Sequence, residues 1–118
     1  MQFRQLPVFA KKLKRLKKKY RSLDTDIEKL EKVLRVRPAG AGEKHWSRLH
    51  ASPDGKVEIY KVRLSCSAMR GETRFRVIYA HNQKDQSVMF VDFIEIYFKG
   101  DQESEDQGLI AEYIREIE

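Results

Sequence analysis

Cysteine is almost missing from this chain: Cys66 is the only one among 118 residues. An intramolecular disulfide is therefore impossible, a zinc site built from several thiolates is excluded, and a reducing, cytoplasmic location is expected. Histidine is nearly as scarce. His45, His50 and His81 have no metal-ligand spacing with one another or with Cys66, so no metal site is expected. No apolar run approaches the ~20 residues of a membrane span. The N-terminal segment, interrupted by Arg4, Gln5, Pro7 and a Lys/Arg block, does not resemble a signal peptide, and no membrane partner is expected. The glycines form no phosphate-binding loop and no Ser/His/Asp order suggests a nucleophilic triad, so no small-molecule cofactor is expected either.

What the chain has in quantity is charge. Charged residues make up 36% and hydrophobic residues 41%, a balance that folds rather than one that stays disordered. At this length a single core suffices, and folding buries roughly 65% of the surface exposed by the unfolded chain. The formal net charge of +6 and pI near 9.5 attract a polyanion. The charge is also unevenly spread. From Lys11 to Arg21 every position except Leu13, Leu16 and Tyr20 is basic, whereas from Asp101 to Glu118 the only base is Arg115.

Hydrophobic spacing places the elements. Phe9, Leu13, Leu16 and Tyr20 recur at helical intervals beneath the basic residues, predicting an amphipathic first helix that stops near Ser22. Ser22 or Asp24 can cap a second helix, Thr25 and Glu28 have capping-box spacing, and Ile27, Leu30 and Leu34 form its apolar stripe. Residues 1–36 thus read as a helical hairpin. Pro38 and the Ala39-Gly40-Ala41-Gly42 stretch end it, and a loop follows with one short strand around Trp46 to Leu49. Val57 to Cys66 alternates as a half-buried strand, and Thr73 to Ala80 as its hairpin partner after the turn Met69-Arg70-Gly71-Glu72. Ser87 to Phe98 is apolar on both faces apart from Asp92 and Glu95, as suits a covered central strand. Leu109, Ile110, Tyr113, Ile114 and Ile117 predict a last helix that either packs back on the sheet or offers an apolar stripe to a partner. The fold class expected is α+β, one domain: a helical hairpin on a twisted, largely antiparallel sheet of three to four strands (residues 45–99), then an acidic loop and short helix (100–118).

The chemistry-bearing residues lie on the two paired strands. Lys61 and Arg63 share one face of the first, and Arg74 and Arg76 repeat the arrangement on its neighbour. Like charges opposed across strands are destabilising, so four cations on one hairpin face are either splayed into water or held for an anion. A phosphodiester suits guanidinium groups, which can bridge two phosphate oxygens. Tyr60 and Tyr79 fall with Val62 and Val77 on the opposite, core face, and Trp46 reads as a hydrophobic anchor. Lys11, Lys12, Lys14, Arg15, Lys17, Lys18 and Lys19 are denser than solubility requires and read as an electrostatic footprint on ribosomal RNA or DNA.

Three stretches carry a resemblance: Tyr60-Lys61-Val62-Arg63-Leu64; Gly71 followed by Arg74-Phe75-Arg76-Val77-Ile78-Tyr79; and Ile94-Glu95-Ile96-Tyr97-Phe98-Lys99. With the helical hairpin ahead of them they resemble the RelE/ParE superfamily of toxin–antitoxin toxins, over about Phe3 to Lys99. The RelE-like branch implies an mRNA endonuclease (mRNA interferase) that inhibits translation by cutting in the ribosomal A site. There the substrate's own 2′-hydroxyl attacks the adjacent phosphate without a metal. The resemblance implies phosphate stabilisation by Arg63 and Arg76, base or electrostatic activation by Lys61, and proton supply or backbone holding by Tyr97 and Lys99. Arg74 is assigned to RNA binding. Partners implied are the ribosome with its mRNA and a cognate antitoxin whose acidic segment wraps the basic groove. The chain departs from the family in offering, after Lys99, only Tyr113 and no histidine as a C-terminal base, which leaves Lys61, Tyr97 or Glu95. The acidic segment Asp101 to Asp106 would repel RNA if it lay beside the site. The ParE-like branch implies instead a non-enzymatic inhibitor of DNA gyrase, and a family member that binds nucleic acid without catalysis is a third reading.

Overall fold

The structure, a computed structural model, describes residues 1–40 and 45–117. Residues 41–44 of the expected loop and residue 118 of the expected last helix lie outside them. In chain order the elements are β1 (Gln2–Gln5), α1 (Pro7–Leu16), α2 (Leu23–Val36), β2 (Trp46–Ala51), β3 (Val57–Cys66), β4 (Glu72–Asn82), β5 (Phe90–Phe98) and α3 (Gln107–Ile117). The chain is α+β, with one mixed five-stranded sheet ordered β1-β5-β4-β3-β2.

The sheet corrects the expectation of three to four largely antiparallel strands. β2, β3, β4 and β5 pair antiparallel, but β1 adds a fifth strand parallel to β5, in the register Gln2↔Phe90 to Gln5↔Phe93. Four residues with one apolar side chain among them, Phe3, leave no alternation by which such an edge strand could be read. The helical pair is corrected as well. α1 lies over β5 and α2 over β3, so the helices straddle β4 and are anchored to the sheet rather than forming a self-contained hairpin.

Pro7 opens α1 at the position where a missing N–H costs nothing. Ser22 precedes α2 as expected, but its hydroxyl does not cap the helix. It donates instead to the Asp26 carboxylate (2.8 Å) and accepts from the Ala68 N–H (2.8 Å). Thr25 and Glu28, with their capping-box spacing, lie inside the helix. Asp26, 2% exposed, also accepts from the Ser67 hydroxyl (2.8 Å), tying α2 to the turn between β3 and β4. That turn closes through Arg70 and Gly71, both at positive φ (57° and 80°), the second in the region where glycine is favoured.

Each sheet face has its own core. On one, Phe9, Leu13, Ile27 and Leu34 of the helices meet Tyr60, Val62, Phe75, Val77, Tyr79 and Phe93. Trp46 packs against this cluster, and its indole N–H donates to the Tyr79 hydroxyl (3.1 Å), which donates to the Pro38 carbonyl (2.7 Å). On the other, α3 packs back through Ile110 and Tyr113 onto Val57, Ile59, Ile78, Ala80 and Ile94. A bulge makes β5 fit both: Ile78 opposes Glu95 while Tyr79 opposes Phe93, so Ile94 is the extra residue. Phe93 and Ile96, three apart, therefore serve the first core, and Ile94 and Tyr97 the second.

Candidate nucleic-acid interface on the second sheet face

β3, β4 and β5 stand in a register that lines up their outward residues in rows. Ile59, Ala80 and Asp92 form one row and Lys61, Ile78 and Glu95 the next. The third consists of Arg63, Arg76 and Tyr97. α3 packs over the aliphatic part of this face. Beyond it the row of two arginines and a tyrosine remains, with Lys61 one step along β3.

Exposure falls along that row, from Arg63, which is exposed, through half-buried Arg76 to Tyr97, which is buried. Arg63 and Arg76 are direct cross-strand partners, and neither forms an ion pair among the described residues. The Arg76 guanidinium is docked on its own strand, donating to the carbonyls of Thr73 (2.6 Å) and Phe75 (3.1 Å). Burial lowers its pKa, the Arg63 charge lowers it further, and Tyr97 works the other way. A cation held beside another cation and partly out of water gains from any anion that binds between them.

Tyr97 is not positioned as a base. Burial, with Glu105 and Glu95 adding to it and Arg76 opposing, raises its phenol to about 12. It is therefore protonated at neutral pH and can donate a hydrogen bond or a proton but cannot act as a base. Glu95 is occupied: its carboxylate accepts from Gln102 Nε2 (2.8 Å) and from the Asp106 N–H (2.9 Å), anchoring the connection between β5 and α3. That connection lies beside the site. Lys61 Nζ donates to Glu105 Oε2 at 3.0 Å. Burial works against the Glu105 carboxylate, but its own backbone N–H, Lys61 and Lys99 outweigh that and lower its pKa.

Lys99 follows the end of β5, and its ammonium meets the Glu103 carbonyl, facing the acidic connection rather than the arginine pair. Arg74 is exposed at the sheet end, its guanidinium over the Phe98 ring (5.4 Å). Four of the anticipated residues, Lys61, Arg63, Arg76 and Tyr97, are thus brought together, with Arg74 and Lys99 at the margin. The basic helix is not part of this face. α1 belongs to the opposite side of the sheet, with Lys11, Lys14 and Arg15 turned outward; it ends at Leu16 rather than near Ser22, so Lys17, paired with Asp24 (2.8 Å), exposed Lys18, and Lys19, over the Tyr20 ring, lie in the turn that follows it. Beside β5, Lys12 and Arg15 share a cavity of about 230 Å³ with Glu95, Gln102 and Asp106, so this side of the basic helix faces the acidic connection.

Sequence reasoning missed Glu105 as a partner of Lys61. It also missed the buried Asp92 carboxylate, which accepts from Arg4 (2.6 and 2.9 Å) and from the Tyr113 hydroxyl (2.6 Å). Tyr113, the one tyrosine after Lys99, is committed to that network and stands in the core under α3. Period-two alternation carries the sheet cations, but no signal in the sequence links residues so far apart. In comparisons with protein-family models, with curated proteins and with solved structures, nothing matches this chain.

Proposed function

We propose that this chain is the toxin of a type II toxin–antitoxin pair, an endoribonuclease of RelE type acting on mRNA in the ribosome. The observation that carries the reading is the cross-strand pair Arg63 and Arg76, unpaired by any carboxylate among the described residues and flanked by Lys61. Two guanidiniums in that relation suit the two non-bridging oxygens of one phosphodiester and the charge that builds on them during attack by a 2′-hydroxyl. The order of elements, two helices ahead of the antiparallel strands and one behind them, is in keeping with the resemblance. α1, basic and on the far side of the sheet, serves as an attachment surface for ribosomal RNA, and an acidic antitoxin segment competes for the arginine pair.

In this reading Arg63 and Arg76 hold and neutralise the phosphate, Tyr97 donates a hydrogen bond or proton, and the ribosome contributes the base. The test is a reconstituted translation reaction in which new mRNA 5′ ends are mapped, with a ribosome-free control and the Arg63→Ala and Arg76→Ala variants. Cuts that need ribosomes and fall at least about 100-fold in either variant, the scale of losing one charge-stabilising donor, support the assignment; intact mRNA rejects it.

One observation favours a second reading, a nucleic-acid binder without catalysis. Tyr97 is protonated and buried, Glu95 is anchored and Lys61 is ion-paired, so none of the three stands free as a base. Ribosome or RNA binding that depends on Arg63 and Arg76 without any cleavage separates it from the nuclease. Gyrase inhibition that survives Arg76→Ala would point instead to the ParE-like alternative.

A further inference from the structure

Glu105 is aimed at the basic face by its surroundings. The residues on either side of it are fixed: Asp106 donates its N–H to Glu95, and Gln102 spans from Glu95 to the Ser104 carbonyl (2.7 Å). Between these anchors the Glu105 side chain, 10% exposed, reaches Lys61, 29% exposed. Lys99, held to the Glu103 carbonyl, adds a second positive charge nearby. A carboxylate bound by an ammonium group beside two carboxylate-free guanidiniums stands where a phosphate of a bound polyanion would make the same interaction.

We infer that Glu105 is a built-in competitor at the anion-binding face, occupying Lys61 until an RNA phosphate displaces it. The inference rests on the reading of Lys61, Arg63 and Arg76 as an RNA-binding face and deepens it. Phosphates reach the arginine pair without opposition, whereas binding at Lys61 first requires the Glu105 ion pair to open. The acidic connection therefore does not close the face. It sets a threshold that favours a ligand with several phosphates held in register over isolated anions. Only a polyanion anchored at Arg63 and Arg76 presents a further phosphate to Lys61 at high effective concentration.

The test uses a 2′-O-methyl oligouridylate, which the 2′-hydroxyl reaction cannot cleave, with binding followed by fluorescence anisotropy. Glu105→Gln and Glu105→Ala tighten binding by roughly three- to tenfold, the scale of one partly exposed ion pair. Lys61→Ala weakens binding, and in that background the Glu105 substitutions add nothing. Asp101→Asn, an equal change of net charge at an exposed position in the same connection, gives a smaller gain that Lys61→Ala does not remove. Equal gains from Glu105→Gln and Asp101→Asn, a Glu105 gain that persists without Lys61, or no gain at all would overturn the inference. The nuclease reading fails separately: oligonucleotide binding can follow this pattern while ribosomes carry uncut mRNA, and ribosome-dependent cuts can appear while Glu105 substitutions leave binding unchanged.

Discussion

At Tyr97 a phenol is buried beside one cation and two carboxylates, and burial first, then those charges, sets its ionisation. In the unfolded chain it ionises near the ordinary value of 10, and in the folded protein at about 12. The folded state thus keeps a proton that the unfolded state loses. The stability so contributed is complete below pH 10 and is lost as pH rises through 12. Burial shifts Tyr60, Tyr79 and Tyr113 in the same direction. We expect phenolate absorbance in an alkaline titration to rise late and together with unfolding, and Tyr97→Phe to remove one late-titrating group; a Tyr97 signal with a midpoint near 10 in folded protein would contradict this. Tyr97 also marks how far the site is legible residue by residue. Alternation along β3 and β4 assigns Lys61, Arg63 and Arg76 to one face because a strand turns each successive side chain to the opposite side. It says nothing about Glu105, 44 residues from Lys61, since an acidic loop has no period from which its course could be inferred.

Among the elements, α2 depends on a latch outside its own helix. Asp26 gathers the hydroxyls of Ser22 and Ser67 and the Ser67 N–H. Asp26→Ala leaves those donors short of an acceptor at a buried position, and we expect a loss of about 1–3 kcal/mol in urea denaturation, with Asp24→Ala, exposed on the same helix, costing far less. A loss no greater than that of Asp24→Ala would mean the latch is not a stabilising feature. The legibility of the elements follows the same physics. β3 runs over the residues expected for it, Val57–Cys66, because both faces alternate cleanly, and α3 packs back on the sheet by its apolar stripe. β1 is invisible because it is short and at an edge. The bulge at Ile94 hides behind an apolar run in which every register looks equally acceptable, and only the cross-strand partners of β4 determine where the extra residue sits.

At the scale of the molecule, positive charge is divided between the outer side of α1 and the far side of the sheet, with an acidic connection that lines one cavity with Lys12 and Arg15 of α1. If α1 and the turn after it serve as an electrostatic footprint, replacing Lys11, Lys14 and Lys18 with Gln should weaken single-stranded RNA binding uniformly across sequences. It should also flatten the slope of log K against log salt by about two, at ~0.7 for each phosphate that is no longer neutralised. An unchanged slope would assign the binding to the sheet face alone. A different consequence follows from the parallel seam between β1 and β5. Arg4 and Asp92, which it brings together, are separated by 88 residues. During synthesis the first strand must wait, unpaired, until the strand that receives it has emerged. Closing this seam is therefore a long-range step, because β1 has no strand to pair with until β5 has been made. Assembly of this protein is in effect a check on its own completeness: a chain halted before β5 has the basic helix but no partner for β1 and no third strand to complete the arginine row.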